Sequence, residues 1–70
     1  MTAVERLRAW ADSWPNNRTI SVTKRPTGWV VTVAVPSPVK FGHSAVNDSL
    51  ETASSECIAA LVEVGEDVPV

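Results

Sequence analysis

The residue types that most often perform catalysis are scarce in this 70-residue chain, which has one histidine, His43, and one cysteine, Cys57. Nucleophilic catalysis needs a nucleophile, a base and a group that orients the base. Cys57 lies in an apolar stretch without a neighbouring positive charge to activate its thiol, which is typical of a small buried side chain. His43 is interpreted as a strand residue at a rim. We therefore predict no catalytic residues and no enzymatic activity.

Residue patterns for metals and cofactors are also missing from the sequence. No Cys or His pair has the spacing of a zinc site, and the acidic residues lack the alternation and turn glycine of a calcium loop. Three scattered glycines cannot form a phosphate-binding loop. We predict no metal and no cofactor, and we interpret Glu66 and Asp67 as part of a short, solvated C-terminal tail.

Charge is distributed unevenly along the chain, although the net charge is only -2. The first 40 residues hold all six basic residues with two acidic ones, whereas the last 30 hold six acidic residues and no basic one. Such asymmetry indicates interaction surfaces of opposite sign. The alternative is that the two halves neutralise one another within one fold.

Basic and aromatic side chains are the candidates for binding a partner. The basic set consists of Lys24 and Arg25 at a predicted hairpin tip, with Arg18 and Lys40 as flanking cations. The aromatic set is Trp10 and Trp14, one helical turn apart, because tryptophan is enriched at interface hot spots. The alternatives are a solvated hairpin tip and tryptophans that all lie in the core. Trp29 is predicted to be a core residue.

The first half of the chain reads as a helix followed by a hairpin. Thr2 and Glu5 form a capping-box pattern, and apolar residues then recur at helical spacing until Pro15, which predicts a helix over 3–14. From Thr19 the period changes to two, which predicts strands over 19–25 and 28–35 around a short turn.

The second half reads as a strand and a helix. Residues 39–45 alternate and predict a third strand, although a loop is the alternative because glycine weakens a strand. A helix over 49–64 is predicted, with Asp48 or Ser49 as its cap, Glu51 as the reciprocal partner of Asp48, and Gly65 as its stop. Its apolar stripe is Leu50, Ala53, Cys57, Leu61 and Val64.

This order predicts one α+β domain of αβββα layout, in which a three-stranded antiparallel sheet carries both helices on one face. The layout resembles the double-stranded-RNA-binding domain, including Trp29–Val33 and the alanine-rich second helix. That family would imply RNA binding through lysines at the start of the second helix. Here the corresponding positions, Asn47–Glu51, include Asp48 and Glu51 and no lysine.

Two further resemblances concern the class of protein. Four segments are similar to HicB-type antitoxins, which would imply a small toxin as the partner: Gly28–Val33, Asp48–Ala53, Ala59–Leu61 and Gly65–Pro69. The chain nevertheless begins with a helix where that family has a strand. Its small size and lack of catalytic residues resemble accessory proteins of bacteriophages and prophages, many of which occupy a surface of a host protein.

The sequence thus predicts a cytoplasmic, non-enzymatic module that binds another protein, for instance as an inhibitor or modulator of a host protein. A second copy is an alternative partner, because an edge strand left open at Thr19–Arg25 or Val39–Ala45 can form a dimer. Binding of nucleic acid through the hairpin tip is the less favoured function. No apolar run approaches membrane-span length, and charges at Glu5, Arg6 and Arg8 argue against a secretion signal.

Overall fold

The computed structural model describes residues 2–13, 18–35 and 40–69. They form two helices and three strands in the order α1 (Ala3–Ser13), β1 (Thr19–Arg25), β2 (Gly28–Val35), β3 (Phe41–Asn47) and α2 (Leu50–Glu63). The strands make one antiparallel sheet in the order β1-β2-β3, and both helices pack on one of its faces. The predicted αβββα fold is confirmed.

Helix α1 begins with the predicted capping box. The amide of Glu5 donates to Thr2 Oγ1 at 3.2 Å, and the amide of Thr2 donates to the Glu5 carboxylate at 2.9 Å. The hydrogen bonds to Thr2 stabilise the charged carboxylate and hold the pKa of Glu5 below its usual range. The described helix ends at Ser13, and the last residue of the predicted range, Trp14, lies outside the described residues.

The hairpin of β1 and β2 has the predicted bounds. Its register is continuous from Arg25 opposite Gly28 to Thr19 opposite Ala34. Gly28 has a φ of +132°, and a Cβ at this position would lie 2.8 Å from the carbonyl oxygen of Asn47. The close approach of β2 to the end of β3 therefore requires a glycine here.

Strand β3 runs over Phe41–Asn47, two residues later than the predicted 39–45. Its register extends from Phe41 opposite Val35 to Asn47 opposite Trp29, so that pairing with nearly all of β2 carries the strand past Ala45. The predicted alternation is confirmed, since Phe41, His43 and Ala45 are more buried than the residues between them. Val39 lies outside the described residues.

Helix α2 is capped by Ser49, whose Oγ accepts from the amide of Thr52 at 3.3 Å. The prediction that Glu51 supports the cap of its own helix is wrong. Both of its carboxylate oxygens accept from the amide of Ala3, each at 3.1 Å. A carboxylate is favoured there because it lies beside the positive ends of both helix dipoles. The two helices therefore start side by side and run parallel.

Gly65 ends α2 as predicted, with a φ of +93°. The amide of Gly65 donates to Val62 O at 3.0 Å and that of Glu66 to Leu61 O at 2.9 Å, the two hydrogen bonds of a Schellman motif. One residue of the predicted apolar stripe, Val64, is 51% exposed because it is the C-cap, where the chain leaves the helix.

The interpretation of the C-terminal residues as a solvated tail is wrong for Glu66, Val68 and Pro69, whereas Asp67 is exposed and Val70 lies outside the described residues. Val68 is buried, and the Nε of Arg6 donates to Pro69 O at 2.7 Å. The segment after Gly65 thus runs back along α1 and closes one side of the core. It is held there because Val68 removes apolar surface from water and a charged donor satisfies a backbone carbonyl.

Candidate functional site

Trp10 and Arg18, two of the predicted partner-binding residues, hold the fold together. Trp10 is fully buried, and its indole N–H donates to Glu66 Oε1 at 3.1 Å. The Arg18 guanidinium donates to Trp10 O at 2.9 Å, lies 3.2 Å from Glu66 Oε1 and stacks 5.1 Å from the ring centroid. Trp10 is therefore not exposed to a partner, the predicted partner contact of Arg18 stays a prediction, and Trp14 lies outside the described residues.

The hairpin tip divides its two cations between the faces of the sheet. Lys24 is opposite Trp29 on the helix side, and its Nζ lies 5.4 Å from the ring centroid of that tryptophan. Trp29 is half-buried, so the prediction that it is a core residue is wrong, because it lies in the last cross-strand row on the helix side, between the exposed Lys24 and the half-buried Asn47. Arg25 is exposed and faces away from the helices, opposite Gly28.

Lys40 is exposed at the other end of the sheet, directly before β3. Six residues of extended chain, about 20 Å, separate this end from the hairpin tip. A cleft of about 320 Å³ opens beside it, lined by Thr19, Ala34, Val35, Lys40, Phe41 and Gly42. The four predicted cations consequently do not form one basic patch.

Charge in the described structure is divided by layer. From Arg18 to Asn47, the described residues contain four basic side chains and no acidic one. The helical layer with its C-terminal segment contains all eight acidic residues and only Arg6 and Arg8 as basic ones. The asymmetry predicted from the two halves of the chain is therefore an asymmetry between the sheet and the helices.

The face of the sheet opposite the helices has an unusual composition, and we call it the open face. It is formed by the β2 residues that alternate with the buried valines and by the residues of β1 and β3 on the same side of the sheet. These residues are Thr19, Ser21, Thr23, Arg25, Val30, Thr32, Ala34, Gly42, Ser44 and Val46. Arg25 is the one charged residue of this set, at its end. Val46 is 58% exposed, and Thr32 and Ser44 share a hydrogen bond of 2.9 Å.

No described helix or strand covers the open face. It carries hydroxyl groups and small apolar groups, without an aromatic ring, a carboxylate or an imidazole. Single-stranded nucleic acid is usually bound by aromatic side chains on which bases stack, and none is present in this set. The lack of charge at the centre of the open face, with charge only at its margin, is a feature that it shares with the central part of protein interfaces.

The remaining reactive groups lie elsewhere. Cys57 is fully buried, with its Sγ 3.3 Å from Val31 O, and desolvation raises the pKa of its thiol. His43 is half-buried on the helix side of β3. Within residues 2–13, 18–35 and 40–69, no three His, Cys, Asp or Glu side chains are grouped so that they could hold a metal ion. In the same ranges, no helix is long and apolar enough to cross a membrane.

The open face was not identified as a site from the sequence, although a signal was present. The alternate residues of β1 and β2 that do not face the core lack charge over Thr19–Thr23 and Val30–Ala34. An outward face of an isolated sheet normally carries charged side chains. Recognising the absence requires the register of all three strands, which only the fold provides.

Comparisons with protein-family models, curated proteins and solved structures found no match to this chain. The resemblances to RNA-binding domains, antitoxins and bacteriophage proteins therefore remain predictions from sequence.

Proposed function

We propose that this chain works by binding another protein through the open face of its sheet, and that it carries out no reaction itself. The observation that supports this proposal is the composition of that face. Ser, Thr, Val, Ala and Gly cover its centre, and Arg25 lies at its end. Removing such a surface from water requires little desolvation of charge, in contrast to a face bearing Lys or Glu.

Charge favours an acidic partner. Among the described residues, the charged side chains of the sheet layer are all basic, and Arg25 and Lys40 are exposed at its opposite ends. A partner with a flat, mostly uncharged centre and carboxylates at its rim would complement both features, and the rim charges would chiefly accelerate association. By occupying such a surface, the chain would act as an inhibitor or modulator of its partner.

The test is site-specific photo-crosslinking in the cell of origin. A photoreactive residue at Thr32 probes the centre of the open face, and one at Ser55 probes the exposed side of α2 as a matched control. We expect one discrete protein adduct from position 32 and none from position 55. An excess of wild-type protein should prevent formation of the adduct. The Ser44→Glu variant, which places a charge directly opposite Thr32, should not prevent it. The Ser55→Glu variant should compete like wild type.

Three outcomes would contradict the proposal: adducts from position 55 alone, no adduct at either position, or competition by Ser44→Glu equal to wild type. A mobility-shift assay with the purified protein at about 50 mM and 200 mM salt tests the binding of nucleic acid, because phosphate contacts are strongest at low salt. A shift that Lys24→Glu/Arg25→Glu abolishes would favour the nucleic-acid function instead.

A further inference from the structure

The outer edge of β1 is a second unpaired feature of the described structure. Strand β1 is at the edge of the sheet, and its pairing with β2 has no bulge. Natural proteins protect such edges with proline, bulges or charged side chains along the strand. Here Thr19–Thr23 contain neither proline nor charge, and the cations Lys24 and Arg25 are confined to the hairpin tip.

The helix side of this edge also exposes apolar surface. Ile20 packs against the core but is only half-buried, and Val22 is 39% exposed. The corresponding side chains of β2, Val31 and Val33, are fully buried. Helix α2 covers β2 and β3, whereas of the two described helices only α1 contacts β1, and only sparsely, which leaves an apolar margin along β1.

We infer that the occupant of this edge is a second copy of the chain, whose β1 pairs antiparallel with the first about a twofold axis at Val22. The six strands then form one continuous sheet. In this register Val22 is opposite Val22 of the second copy, Ser21 is opposite Thr23, and Ile20 is opposite Lys24. The two valines cover each other, and the hydroxyl pair resembles the contact between Thr32 and Ser44 in the sheet itself.

The charges of the strand fit this arrangement. Each Arg25 lies opposite Thr19 of the other copy, so that the two hairpin tips are at opposite ends of the paired strands, about 20 Å apart. This distance exceeds the Debye length of about 8 Å at physiological ionic strength, and the like charges are screened. A parallel arrangement would bring both tips together.

The other edge of the sheet does not offer the same match. An equivalent twofold axis on β3 would be at Ser44 and would place Val46 opposite Gly42 of the second copy. No apolar pair would form, and on the helix side Ala45 is already buried. The inference thus assigns the dimer contact to β1 alone.

A contact of one strand pair is small. Stable interfaces bury at least about 1,200 Å², and a single pair of short strands is expected to bury less than this area. We therefore expect a dimer in reversible equilibrium with the monomer.

Sedimentation velocity from about 5 to 500 µM tests the inference. The wild-type mass should rise from that of the 7.5 kDa monomer towards twice that value. Val22→Lys, which opposes two ammonium groups at the axis, should remain monomeric throughout. Val46→Lys, an equally drastic change at an exposed valine of the other edge, should dimerise like wild type. Circular dichroism confirms that both variants are folded.

Engineered cysteines test the register. Val22→Cys should form an interchain disulfide on mild oxidation, whereas Thr19→Cys should not, because its counterpart lies about six residues away in the paired strand. Cys57 does not interfere, since it is fully buried.

A wild-type chain that stays monomeric at all concentrations would overturn the inference, as would a dimer broken by Val46→Lys but not by Val22→Lys. Equal crosslinking at positions 19 and 22 would also overturn the register. The inference is independent of the proposed function, because pairing at the edge leaves the open face uncovered.

Discussion

At the scale of single residues, Ser54 is the feature that sequence patterns explain least. It lies fully buried on α2, and its hydroxyl has no hydrogen-bond partner among the described residues. A buried hydroxyl without a partner loses its hydrogen bonds to water and gains none in return. It lies on the buried side of α2 together with Ala53, Cys57, Ile58 and Leu61.

We predict that Ser54→Ala stabilises the protein. Removing the unpaired hydroxyl and gaining helix propensity should raise the free energy of unfolding by about 1 kcal/mol. Urea denaturation of Ser54→Ala beside Ser55→Ala measures this, because Ser55 is the exposed neighbour on the same helix and should gain only about 0.5 kcal/mol from propensity. A gain at position 54 no larger than that at position 55 would show that the hydroxyl carries no penalty.

At the scale of elements, two glycines decide where strands and helices meet. Gly28 starts β2 with a positive φ against the backbone of β3, and Gly65 ends α2 with a positive φ in open space. Gly42, within β3, has ordinary backbone, and its Cβ would meet no atom closer than 3.9 Å. Gly65 thus has a positive φ alone, Gly28 has a positive φ and a steric clash, and Gly42 has neither, so that comparing them separates the two effects.

Alanine substitutions at these positions should therefore have graded effects. Gly65→Ala should lower the free energy of unfolding by about 1 kcal/mol through its positive φ alone. Gly28→Ala adds a clash with Asn47 O and should cost at least about 2 kcal/mol. Gly42→Ala should be neutral or slightly stabilising. Thermal unfolding ranks the three, and a larger loss at position 65 than at position 28 would argue against the close approach of β2 to β3.

At the scale of the whole molecule, Glu66 joins three distant parts of the chain. Its carboxylate accepts from Trp10 in α1, pairs with Arg18 ahead of β1, and belongs to the segment that follows α2. The side chains of Arg18 and Glu66 are only 14% and 25% exposed, so solvent screens the attraction between their charges incompletely. The contact thus links the helical layer to the start of the sheet.

We predict that Glu66→Ala destabilises the protein by about 2 kcal/mol, because it leaves a buried indole N–H without an acceptor and removes the ion-pair partner of Arg18, whose guanidinium keeps only Trp10 O. Glu66→Gln keeps an acceptor for Trp10 and should cost about 1 kcal/mol. Asp67→Asn, at the exposed neighbour, is the control and should change stability by less than about 0.5 kcal/mol. Chemical denaturation compares them, and equal losses at positions 66 and 67 would exclude a specific role for Glu66.

Local sequence determined most of the elements. The capping box of Thr2 and Glu5, the period-two pattern of β1 and β2, and Gly65 as a stop all act within a few residues, so that their effect can be read without the fold. The bounds of β3 were displaced by two residues because a strand extends as far as its neighbour provides pairing. The partner of Glu51 is not predictable from local sequence for a similar reason, since Ala3 is 48 residues away.

Only the tertiary structure decided which predicted site residues are free to bind a partner. Residue type suggested Trp10 and Arg18, but a large ring and a guanidinium also suit a buried junction, and whether Glu66 reaches them depends on where the chain returns after α2. In the same way, the absence of charge on the open face is distributed over three strands. Composition sets which groups are present, whereas packing sets which of them meet one another and which remain exposed.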